Sequence, residues 1–149
     1  MKIKRVLPPT YLFISIATMV LLNFLSPIYN FAPYPWNLLG IVPLVTGITL
    51  NLMADAAFKK ARTTVKPFEI STALITTGVF RISRHPMYLG MVLILLGIAI
   101  LMGSLAPLMI IPIFAILMEL VFVRTEEKML EKQLGSAWTT YKNKVRKWV

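Results

Sequence analysis

Polar and apolar positions alternate along this chain in long blocks rather than residue by residue. Four apolar runs stand out: about Val6 to Leu25, Trp36 to about Ala57, Met87 to Met102, and Leu105 to Val123. A helix that crosses a bilayer needs roughly 17–25 such residues. The third run is at the short limit, so it either begins inside the preceding loop or lies tilted. The first is longer than the apolar core of a signal peptide and lacks a small-residue cleavage site after it, which predicts a retained span. Pro43 and Gly47 are expected to interrupt the second helix. Gly103-Ser104 leaves room only for a hairpin between the third and fourth. Pro107 starts the fourth helix and Pro112 is expected to kink it. After Val123 the period changes. Leu130, Leu134, Trp138, Tyr141, Val145 and Trp148 recur at spacings of three and four, an amphipathic helical pattern. Gly135 suits a C-cap and Ser136 an N-cap, which predicts two short helices lying at the membrane surface. The expected fold is all-α: one integral membrane domain over 1–149, a polytopic bundle of four transmembrane helices with C-terminal amphipathic interfacial helices.

The charges fall between these runs with a clear bias. All 16 lysines and arginines lie in three places: before the first run, between the second and third, and after the fourth. The connections Ser26–Pro35 and Gly103-Ser104 carry none, and the former has Tyr29, Phe31 and Tyr34 leading to Trp36, an aromatic belt. The positive-inside rule then puts both termini and the middle loop in the cytoplasm, at the plasma membrane if the source is prokaryotic. The net charge of +10 follows from this placement and favours anionic inner-leaflet lipids rather than nucleic acid. Cysteine is absent and histidine occurs once, so neither a thiolate site nor a His cluster for a metal is expected.

Candidate chemistry gathers at the inner ends of the runs. The loop 59–86 is too polar to span and too rich in turn-forming residues for one helix. Irregular backbone at a membrane is tolerated where it covers a cavity. It closes on Arg84-His85-Pro86-Met87-Tyr88, where Pro86 suits a first helical turn and His85 is steered away from α geometry. The plainest use of this stretch is an interfacial anchor. Asp55 is placed to pair with Lys59 one turn on. Glu119 lies in the fourth run, snorkelling or facing the interior. Glu126 and Glu127 begin the tail. On a helix they point about 100° apart; Glu127 lies roughly 40° from the Leu130–Leu134 stripe and Glu126 roughly 60° on the other side. The plainest reading of both is a solvated face pairing with Lys128, Lys132 or Lys144; the alternative is that this turn and the loop before Tyr88 form one pocket. Carboxylates, an imidazole and aromatics, with no Gly-rich phosphate loop, suit a cationic aromatic-bearing cofactor better than a triphosphate.

Several stretches together resemble one family. They are Leu74-Ile75-Thr76-Thr77-Gly78-Val79-Phe80, Arg84-His85-Pro86-Met87-Tyr88-Leu89-Gly90, Glu126-Glu127-x-x-Leu130-x-x-x-x-Gly135, Tyr141 and Val145-Arg146-x-Trp148. Over roughly Trp36–Trp148 the chain resembles the isoprenylcysteine carboxyl methyltransferases, relatives of the phospholipid methyltransferases. The resemblance implies a helical membrane enzyme using S-adenosyl-L-methionine to methylate a lipid or lipid-linked acceptor, an isoprenylcysteine-like carboxylate or a phospholipid amine. By motif, cofactor contacts fall on Thr72, Ala73, Leu74, Ile75, Phe80, His85, Pro86, Met87, Tyr88 and Glu127. Arg124 and Glu127 are the implied catalytic pair, Arg124 meeting an acceptor carboxylate. Phe80 stands where the family often has Tyr. Two other functions compete: an NADPH-dependent membrane lipid reductase, since sterol reductases share an Arg-His-x-x-Tyr region, and a small four-helix transporter, which would want an acidic residue deep in the first helix.

Overall fold

A computed structural model describes residues 6–26, 29–64, 69 and 73–149. Among these residues seven α-helices run in chain order: α1 Pro8–Leu25, α2 Ile41–Lys60, α3 Pro86–Met102, α4 Leu105–Leu108, α5 Ile110–Met118, α6 Arg124–Leu134 and α7 Ser136–Lys144. Among the described residues the only extended pairing is a single bridge between Asn30 and Ser104. The molecule is an all-helical membrane bundle. Pro8–Leu25, Trp36–Lys60 and Leu105–Leu134 are long and apolar enough to cross a bilayer, and Pro86–Met102, with 17 residues, completes four at the lower limit of length.

Each span starts where the sequence offers a start. Pro8 and Pro9 open α1, and Pro86 opens α3, positions where a missing N–H leaves no bond unmade. A 3-10 turn, Trp36–Gly40, leads into α2. The expected interruption of α2 does not occur. Pro43 falls within its first turn, where proline is tolerated, and Gly47 is used for packing instead. At Gly40 and Gly97, and again at Gly47 and Gly90, seven residues apart on each helix, the backbones of α2 and α3 pass too closely for a side chain. A Cβ on Gly40 would sit 2.5 Å from the Gly97 carbonyl oxygen. Small residues at such crossings are how helices associate where lipid supplies no hydrophobic drive. The Asn51 amide donates to the Gly47 carbonyl at 2.9 Å, closing off the polar group beside that contact.

The hairpin at Gly103-Ser104 forms as its length requires. Gly103 takes a left-handed conformation, φ +70°, and caps α3. The loop between α1 and α2 lies on the same end of the bundle: Phe31 N donates to Gly103 O at 2.9 Å. Beyond α4 the chain turns at Met109, three residues before Pro112, and then runs as one nearly continuous helix into the tail. Residues Glu119–Val123 form a π turn. Its extra residue widens the inward stripe: the buried positions are Phe114, Met118, the adjacent Phe122 and Val123, and Glu127. The core is Met19 from α1, Met91, Leu95 and Ala99 from α3, and Phe114, Met118, Phe122 and Val123. Apolar side chains such as Phe24 (79% exposed) and Leu52 (65%) cover the outer faces, as suits contact with lipid. Gly135, φ +53°, separates α6 from α7, so the two tail helices form as expected, although Ser136 is the first residue of α7 and Gly135 precedes it as the cap.

Candidate functional site

The start of α1, the end of α2 and the start of α3 share one end of the bundle. There the loop before α3 is folded down by specific bonds. The 3-10 turn Gly78–Arg81 buries Val79 and Phe80 against Ala54, Phe58, Ile75 and Met87. Gly78, φ +62°, permits the turn. The Tyr141 hydroxyl donates to the Phe80 carbonyl at 2.7 Å, and burial pushes that phenol up to about 12. The last residues of the chain hold the next ones. Arg84 N donates to Arg146 O at 3.1 Å, and the Ser83 hydroxyl donates to Lys147 O at 3.1 Å. Ser83 Oγ also accepts the His85 N–H at 3.1 Å, fixing the residue that precedes Pro86. The apolar side of the tail therefore faces protein: Trp138 is 1% exposed, and the Arg84 guanidinium stands 5.8 Å from its ring.

These bonds bring a cluster of charges together. His85 Nε2 lies 3.3 Å from Glu127 Oε1, and His85 Nδ1 lies 3.6 Å from Glu126 Oε2. Arg84 Nη2 reaches the same Glu127 oxygen at 3.1 Å, and Lys147 Nζ stands 3.5 Å from Glu127 Oε2. Lys147 also binds Glu119 at 2.8 Å, where Trp148 Nε1 donates at 3.3 Å. Glu126 accepts the Tyr88 hydroxyl at 2.7 Å. Burial alone would favour a neutral imidazole, but hydrogen bonds and charge from the two glutamates outweigh it and raise the His85 pKa above its ordinary value. The bond to Glu119, followed by the charge of Glu127, raises that of Lys147. Among the described residues, buried Arg84 Nε has no hydrogen-bond partner.

Beside this cluster lies a cavity of about 200 Å³. Its wall is mostly apolar, from Leu7, Pro8 and Pro9 of the α1 start, Phe58, Phe80, Met87 and Met91, and its polar groups are Arg84, His85, Tyr88 and Glu126. The sequence-predicted residues distribute around it as follows. Phe80, His85, Pro86, Met87 and Tyr88 line it. Ile75 packs behind Phe80, and Ala73 and Leu74 are half-buried just before it in the chain. Thr72 lies outside the described residues. Glu127 is buried behind the cavity wall, on Arg84, His85 and Lys147. Arg124 is largely exposed, 3.6 Å from Glu119, and does not line the cavity.

Three contributors were not assigned to the site from the sequence. Glu126 is at the cavity with Tyr88 rather than on a solvated face with lysines. Phe58 stands one turn past Ala54 and meets Phe80 edge-on, ring centres 5.4 Å apart. Lys147 joins Glu119 to Glu127; the acidic residue inside the fourth run was the signal that some cation must reach it. The Asp55–Lys59 pair forms as expected, at 2.6 Å, with Lys59 exposed and Asp55 half-buried, and neither lines the cavity.

Comparison with known families gives a match: the model for phospholipid methyltransferase covers residues 36–137, which takes in α2 to α6 and the whole charged cluster except Lys147 and Trp148. No curated protein gives a match, and neither does a solved structure.

Proposed function

The chain belongs to the phospholipid methyltransferase family, and from that premise we propose that the cavity is where the methyl group of S-adenosyl-L-methionine meets a lipid or lipid-linked acceptor. A membrane methyltransferase acting on lipids follows from the family itself; the cofactor, its contacts and the acceptor are this reading. The observation that carries it is the convergence of Glu126, Arg84, His85 and Tyr88 on one apolar cavity. The donor set fits the cofactor. Phe80 and Tyr88 offer aromatic faces to a sulfonium or an adenine. Glu126 offers a carboxylate to a cation, with Glu127 behind it. Arg84, one buried nitrogen still without a partner, offers a guanidinium to a carboxylate. At about 200 Å³ the cavity falls below the roughly 300–1,000 Å³ usual for a whole ligand. It suits the reacting ends, with Ala73, Leu74 and Ile75, and Thr72 before them, holding the remainder.

The cofactor, when bound, supplies an already activated methyl. The protein's part is alignment and exclusion of water. His85 is fixed by Ser83 and both glutamates, so the wall it forms is rigid. A carboxylate acceptor needs no base. An amine must lose a proton, and Glu126 Oε2, beside His85 Nδ1, is the group at the cavity able to take it. Arg124, beside Glu119, would meet an acceptor's anionic group outside the cavity. Thermal shift of the purified protein with S-adenosylhomocysteine and with NADPH tests the assignment. Stabilisation by the first alone is expected; stabilisation by NADPH alone would restore the reductase reading.

A further inference from the structure

One wall of the cavity lies outside the family match. Leu7, Pro8 and Pro9 belong to the start of α1, upstream of residue 36, and share the cavity lining with Phe58 at the end of α2. Both helices pack against α3, and among the described residues α1 packs further on α4 and α5 rather than on α2. Leu7 is 47% exposed at its edge of the cavity. The first turn of a helix normally presents unbonded N–H groups. Here Pro8 and Pro9 remove two of them, and Thr10 N donates back to Leu7 O at 3.0 Å. At Pro8, Pro9 and Thr10 the wall thus leaves no free N–H, which suits contact with hydrocarbon. Met87 and Met91 complete the apolar lining, and Arg84, His85, Tyr88 and Glu126 are its polar groups.

We propose that the acceptor's hydrocarbon chain enters from the bilayer between the start of α1 and the end of α2, and that Leu7, Pro9 and Phe58 determine which chains are accepted. This rests on the methyltransferase reading of the site. A chain in a bilayer is already out of water, so its transfer into the cavity gains little from burial. Selection there is by shape. One methylene too many or too few in an apolar pocket changes specificity by about tenfold or more.

The test uses the full chain in vesicles, with acceptors of one headgroup carrying straight saturated, cis-unsaturated or methyl-branched chains. Leu7→Trp should lower kcat/KM for the bent and branched chains by about tenfold relative to the straight one. Phe58→Ala should narrow the preference, and Phe24→Trp, at the far end of α1, should leave it unchanged. Affinity for S-adenosylhomocysteine should stay with the wild type in the Leu7 variant. Unchanged chain preference in both cavity variants overturns the proposal. So does a uniform loss on all acceptors together with cofactor affinity, which would give the wall to the cofactor. A second measurement is independent of turnover. A lipid with a photoreactive chain should label Leu7–Pro9 and Phe58 saturably, and Phe24 in proportion to lipid concentration. Saturable labelling with no methylation would sink the activity and leave the chain site standing; unsaturable labelling at Leu7 would sink the chain site.

Discussion

Glu126 and Glu127 are neighbours in the chain and about 100° apart on the helix, so they do not face one pocket equally. They flank one imidazole instead: Glu127 on Nε2 and Glu126 on Nδ1 of His85. The angle between them was legible in the sequence, but the histidine that fills it was not, because it lies 42 positions away. The arrangement carries a pH signature. The folded pKa of His85 is raised, so the stability contributed by its imidazolium is fully present below the free-histidine value of about 6.5 and is lost as pH rises through the higher folded value. The melting temperature should therefore fall as pH is raised above about 6.5; His85→Gln should flatten that slope, and an unchanged slope would place the titration elsewhere. Removing one partner of a buried charge cluster costs about 3–5 kcal/mol. Glu127→Gln, which strands Arg84 and Lys147, should approach that range in chemical unfolding. Glu126→Gln, which strands only Tyr88 and half of His85, should cost about 1–2 kcal/mol. The reverse order would contradict the geometry.

At the level of elements, the spans were legible because lipid demands long apolar runs, and the breaks between them because proline and glycine mark them. Two features escaped. Gly47 signalled a weak point by propensity alone, yet it is a contact: the tertiary demand for close approach decides its use. Gly47→Leu or Gly90→Leu should separate α2 from α3 and lower the melting temperature of the purified protein sharply, whereas Gly78→Ala, where no neighbouring atom obstructs a Cβ, should show only the strain of a positive φ. The second is the tail. Spacings of three and four show that Leu130 to Trp148 form an apolar stripe, but a stripe does not say whether lipid or protein covers it. Trp138 and Tyr141 are covered by Arg84 and Phe80, and Lys147 and Trp148 reach Glu119. The π turn at Glu119–Val123, which rotates Glu127 inward, has no marker in residue type. Ending the chain after Val145 removes Lys147 and Trp148 and the carbonyls that hold Ser83 and Arg84. Affinity for S-adenosylhomocysteine should drop more than tenfold in calorimetry, as for loss of about 1.4 kcal/mol or more; full affinity would show that the tail does not hold the site.

Across the whole molecule, three independent features meet at one end of the bundle. The described basic residues of the middle loop and of the tail lie at that end, the irregular loop folds there, and the cavity opens there. Its placement on the cytoplasmic side is a proposal from the charge bias. Because the chain has no cysteine, single cysteines at Asn30 and Ser136 can be labelled from outside in intact cells: Asn30 should react and Ser136 should not, and equal labelling would reject the topology. Transfer of a methyl group to lipid at this end of the bundle is measured with the purified protein in vesicles given methyl-labelled S-adenosyl-L-methionine. Label is expected in the lipid fraction, and is expected to be lost with His85→Ala. Absence of label with every acceptor class, amine and carboxylate alike, from a protein that also fails to bind S-adenosylhomocysteine, would contradict it.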